Sequence, residues 1–94
     1  MENNITFEEF INSKSTVIVD FYADWCGPCK ALVPILKELP EGTVQSINVE
    51  SEEGADLASE YRIQALPTLV YFREGKEIKR TVGFQTLKQI QNEL

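Results

Sequence analysis

Residues 17–30 read V-I-V-D-F-Y-A-D-W-C-G-P-C-K. Val17, Ile18, Val19, Phe21 and Tyr22 are β-branched or aromatic, and a short, nearly continuous apolar run of this kind suits a strand buried on both faces. Gly27 and Pro28 break the run. Residues 30–39 then carry Leu32, Val33, Ile35, Leu36 and Leu39 at helical spacing, with a kink expected at Pro34 because it lacks a backbone N–H. Cys26 and Cys29, spaced C-x-x-C, therefore fall where a strand ends and a helix begins, the place where open α/β sheets gather their chemistry.

A cysteine attacks only as the thiolate, and the free N–H groups and dipole of a helix's first turn favour an anion. Cys26, at the start, is the candidate nucleophile. Cys29, one turn in and better shielded, is the candidate resolving thiol, and Lys30 adds a modest positive charge. A structural disulfide is a weaker reading, since closing four residues contributes only about 2 kcal/mol by loop entropy, against about 4.7 for a hundred-residue loop. A zinc site needs four nitrogen or sulfur ligands, and the chain has two Cys and no His. Two inert buried thiols would not need a Gly-Pro insert at a helix start. Redox chemistry is the reading that uses all these features.

With W-C-G-P-C-K preceded by V-D-F-Y-A-D and followed some forty residues later by A-L-P-T, the chain resembles the thioredoxin family from about residue 17 to its C-terminus. The resemblance implies a protein-disulfide reductase that cycles Cys26–Cys29 between dithiol and disulfide. Its implied partners are disulfide-containing proteins and an NADPH-dependent, flavin-containing thioredoxin reductase as electron donor. It implies that Pro67 is a cis proline beside the disulfide, leaving the Leu66 backbone to pair with an extended substrate strand. Substrate contact is implied at Trp25, Gly27, Pro28, Ala65, Leu66, Pro67 and Gly83. Asp20 is a third catalytic candidate. A carboxyl inside an apolar strand has its pKa raised by desolvation, and the family's aspartate here is assigned proton transfer to the second cysteine. Two positions depart from the family. Ser46 falls where many members have a lysine near the aspartate, and Ala65 falls where a glycine is common. The oxidase and isomerase branches, and a thioredoxin-like binding subunit, are the rival functions.

Outward from that stretch, Thr6 and Glu9 form a T-x-x-E capping box for a helix of about two turns that buries Phe7, Phe10 and Ile11. Residues 16–22 and 43–49 are strands, parallel because a helix connects them. Ser51 caps a helix ending near Tyr61 with Leu57, Ala58 and Tyr61 inward. Residues 68–72 and 78–82 form a hairpin across R-E-G-K-E. Thr86 and Gln89 repeat the capping box before Leu87, Ile90 and Leu94. The order α-β-α-β-α-β-β-α makes an α/β protein with the thioredoxin fold. Its four-stranded mixed sheet has helices on both faces, and the family's first strand is vestigial or absent because only four residues precede Ile5.

Ninety-four residues, 43% apolar and 26% charged, fit a single domain spanning residues 1–94. The net charge of −6, from 15 acidic and 9 basic residues, disfavours binding to nucleic acid. Glu50, Glu52, Glu53, Asp56 and Glu60 bunch together, as do Arg73, Lys76, Lys79 and Arg80, and both groups read as solvated surface. No membrane span or leader is visible, so the expected protein is a cytoplasmic monomer, without metal or other cofactor.

Overall fold

A computed structural model describes residues 5–94. The expectation of a vestigial or missing first strand falls on residues 1–4, outside the described residues. Helix α1 (Phe7–Ile11) opens with the full capping box. The Thr6 N–H donates to Glu9 Oε1 at 2.9 Å, and the Glu9 N–H donates to Thr6 Oγ1 at 3.1 Å. At five residues it is shorter than two turns, ending at the Asn12 cap. Phe10 and Ile11 are buried, while Phe7 is half-buried.

Strand β1 (Val17–Tyr22) leads to helix α2 (Gly27–Leu36). The helix begins earlier than residue 30, because Cys26 is its N-cap and Gly27 and Pro28 form its first turn. A proline there loses nothing, since first-turn N–H groups have no helical partner. Pro34 lies inside α2 without ending it. After Leu36 the chain tightens, with the N–H groups of Glu38 and Leu39 donating to the carbonyls of Ile35 and Leu36, three residues back. Leu39 therefore leaves the α-helix but stays in the core, 7% exposed.

Strand β2 (Val44–Asn48), helix α3 (Glu52–Glu60), strands β3 (Thr68–Arg73) and β4 (Lys76–Val82), and helix α4 (Leu87–Gln91) follow. The sheet order is β2-β1-β3-β4. β1 and β2 are parallel, and the other two pairs are antiparallel. The mixed four-stranded sheet and the element order match the expectation. The hairpin turn is tighter than the five-residue connection expected. Between Arg73 and Lys76 the turn holds just Glu74 and Gly75, at φ 53° and 82°, the left-handed pair that suits the twist of a two-residue hairpin.

Side chains alternate along β1, and this alternation divides the core. Val17, Val19 and Phe21 pack with Phe10 and Ile11 of α1, and Leu57 and Ala58 of α3 cover them. Ile18 faces the other way, with Leu32 and Leu36 of α2 and Ile90 of α4. Asp20 has the parity of Ile18, which places it beneath α2. That single step in register brings a carboxylate under the helix that starts at the cysteines.

Candidate active site

Cys26 and Cys29 are joined in a disulfide, Cα to Cα 5.3 Å. The arrangement follows from the cap. Cys26 has extended backbone, φ −88° and ψ 109°, as N-caps do, and its Sγ accepts the N–H of Cys29 at 3.2 Å. In the reduced protein the same N–H points at the sulfur that would carry the charge, and the helix dipole adds to it, so both favour the Cys26 thiolate. Both residues are nearly covered, Cys26 at 5% and Cys29 at 3%. They pack with Ala23 against Tyr22, Val49 and Leu66. Gly27 and Pro28 between them are exposed.

Trp25 stands beside Cys26, 69% exposed. Its indole N–H donates to Glu50 Oε2 at 2.8 Å, and the Glu50 N–H in turn donates to Asn48 Oδ1 at 2.9 Å. The ring is thus tied to the C-terminal end of β2. Sequence reasoning placed Glu50 among solvated surface acids and missed this link. Twenty-five residues separate the pair, so no local spacing marks it. The available signal was topological, since parallel β1 and β2 bring Trp25 and Glu50 to the same end of the sheet. A cleft lined by Trp25, Val49, Ala58, Ile63, Gln64, Ala65 and Leu66 runs beside the ring.

The Leu66–Pro67 peptide is cis, as the resemblance implied. The Leu66 N–H and carbonyl make no hydrogen bond among the described residues, whereas the Ala65 carbonyl accepts Thr68 Oγ1 at 2.6 Å. Gly83 donates its N–H to the Pro67 carbonyl at 2.8 Å. Its φ of 96° is left-handed, a conformation glycine adopts without steric cost. Val82 and Phe84 flank it at 59% and 45% exposure. Trp25, Ala65 and Leu66 meet in the cleft. Pro67 and Gly83 join each other directly, and Leu66 ties them to the disulfide.

Asp20 is 3% exposed, and burial pushes its carboxyl up to about 6. The opposing pull comes from Ser46, whose hydroxyl donates to Asp20 Oδ2 at 3.1 Å. Parallel pairing places Ser46 directly across from Asp20. No charge-paired group offsets the desolvation, and Oδ1 is buried without a hydrogen bond. The described residues contain no group of three or more His, Cys, Asp or Glu able to hold a metal ion.

The chain is similar to known proteins. The thioredoxin family model matches residues 1–94. A thioredoxin of Chlamydia pneumoniae is 41% identical, over 92% of this chain and 85% of that one. The chloroplastic thioredoxin Y of Oryza sativa subsp. japonica is 39% identical over 95% of this chain, which spans only 58% of its length. Among solved structures, a thioredoxin mutant from Halobacterium salinarum NRC-1 superposes with a TM-score of 0.79 at 36% identity. That match covers 92% of this chain and 77% of the other. The oxidized mitochondrial thioredoxin 3 of Saccharomyces cerevisiae gives 0.77 at 30% identity, covering 93% and 83%. With its helix-capping C-x-x-C disulfide, its fold and these relatives in agreement, the chain belongs to the thioredoxin family of thiol–disulfide oxidoreductases.

Proposed function

We infer that this chain is a protein-disulfide reductase. One observation carries the reading: Cys26 Sγ caps α2 and accepts a helix N–H, in a disulfide rimmed by exposed Trp25, Gly27 and Pro28. In the reduced protein the Cys26 thiolate attacks one sulfur of a substrate disulfide. A Cys26–substrate disulfide forms and the other substrate sulfur leaves as a thiolate, which takes a proton from water. Cys29 gives its proton by way of water to the Asp20 carboxylate and attacks Cys26 Sγ. The second substrate sulfur departs, and two electrons have passed from the dithiol to the substrate.

The cleft beside Trp25 and the unpaired Leu66 backbone support an extended polypeptide as substrate, held by strand-like hydrogen bonds at Leu66 and by apolar contact with the indole. Ala65, Pro67 and Gly83 shape that surface. An NADPH-dependent thioredoxin reductase restores the dithiol. The protein works as a monomer in the cytoplasm, where two cysteines, both in the active pair, fit a reducing compartment.

Turbidity of insulin reduced in the presence of dithiothreitol tests the reading. The parent should accelerate precipitation, and Cys26→Ser should abolish the effect. Cys29→Ser should accumulate a mixed disulfide detectable by mass. Capture by Cys26→Ser and none by Cys29→Ser would reverse the two roles.

A further inference from the structure

Asp20 is buried, but the serine paired with it reaches open water. Among the described residues β2 is an edge strand, and Ser46 is exposed and lines the grooves on both sides of it. Ser46 lies opposite Asp20 in register, on the same face of the sheet, with its hydroxyl 3.1 Å from Oδ2. That bond is the carboxyl's one side-chain hydrogen bond among the described residues, because Oδ1 has none. The remaining surroundings offer no charge among the described residues. β1 supplies Ile18 and Tyr22, β3 supplies Leu69 across from Asp20, and the buried residues of α2 are Cys29, Leu32 and Leu36. Lys30 of α2 and Lys37 just after it are exposed, and Lys37 and Glu41 stand with Ser46 along the outer groove.

A base accepts the Cys29 proton only after its own proton has left for water, so in acid, where Asp20 starts protonated, that loss precedes decay of the mixed disulfide. We propose that Ser46 is a positioning residue that relays the Asp20 proton to water in the groove between α2 and β2. A hydroxyl suits this because it donates to the ionised carboxyl and accepts from the protonated one. As the carboxylic proton moves onto Ser46 Oγ, the hydroxyl's own proton moves to a groove water. Asp20 is left ionised, Ser46 neutral, and no electrons move. A lysine at this position would supply charge, whereas serine supplies a path.

This rests on the proton role given to Asp20 above, and the test separates the two. Reduced protein is mixed with a disulfide substrate, and formation and decay of the mixed disulfide are followed by rapid acid quench from pH 5 to 9. Ser46→Ala should leave formation unchanged and slow decay by roughly tenfold or more, the loss expected for one hydrogen bond to a carboxylate. Its pH profile should move to higher pH, because the ionised carboxyl has lost a donor. Ser46→Thr, which keeps the hydroxyl, should restore both rate and profile, and adding Ser46→Ala to Asp20→Asn should slow decay no further. If Asp20→Asn slows decay while Ser46→Ala matches the parent at every pH, the relay is overturned and the carboxyl's role stands. If Asp20→Asn itself decays at the parental rate, both fall.

Discussion

At the scale of single residues, the buried carboxyl of Asp20 costs stability. Its folded carboxyl titrates at about 6 against an ordinary 3.8, because burial penalises the charge more than the Ser46 hydroxyl supports it. Below about pH 3.8 the carboxyl is neutral in both folded and unfolded chains and has no effect on the balance. Between the two values the unfolded chain ionises first, so this residue's contribution to stability falls as pH rises and then levels off above pH 6. The difference corresponds to about 3 kcal/mol. Asn cannot ionise, so the stability of Asp20→Asn relative to the parent should rise by about that amount between pH 3.5 and pH 7.5. Urea unfolding at a series of pH values measures it, and a relative stability flat across that range would contradict the buried-carboxyl account. Glu50 is the other residue that matters at this scale. With its carboxylate replaced in Glu50→Ala, the Trp25 ring should lose its anchor at β2 and the KM for protein disulfides should rise more than kcat falls, as steady-state insulin kinetics would show.

Among the elements, α3 carries two backbone constraints of opposite consequence. Gly54 faces the end of β2 so closely that a Cβ there would collide with the Asn48 carbonyl and stand 2.7 Å from Ser51 Oγ. Gly54→Ala should therefore destabilise by about 2 kcal/mol or more, since backbone and a cap would both have to move. At the other end Arg62 sits at φ 56°, while its N–H bonds to the Ser59 carbonyl and the Ile63 N–H to the Ala58 carbonyl. This is the closure in which glycine usually occupies the left-handed position. Arg62→Gly should stabilise by about 0.5–1 kcal/mol, the steric relief outweighing the added freedom of the unfolded chain. Thermal unfolding of the two variants should move Tm in opposite directions.

The elements also show what a sequence can reveal. Both capping boxes and the Ser51 cap were readable because each is a contact across three residues, with capping side chains at both ends of the boxes and a serine before α3. The apolar runs of β1 and β3 were readable because strands buried on both faces need little else. The start of α2 was misplaced because Gly and Pro are strong breakers elsewhere, and only the cap geometry of Cys26 turns them into a first turn. The length of the hairpin loop was misjudged because Arg73, Lys76 and Glu77 are poor strand formers by composition. Pairing in the ladder overrides that preference.

Across the whole molecule, parallel pairing of β1 and β2 determines how the site is put together. It sets Ser46 beside Asp20, a neighbour that matching to the family's strand anticipated, and carries Glu50 to Trp25, which no pattern announced. No described helix is long and apolar enough to cross a membrane. Whether Cys26–Cys29 is a reducing pair is decided by its equilibrium with dithiothreitol redox buffers at pH 7. A reducing pair should show a standard potential near the value of about −270 mV usual for thioredoxin. A potential at or above about −180 mV, in the range of disulfide isomerases and oxidases, would contradict a reducing role.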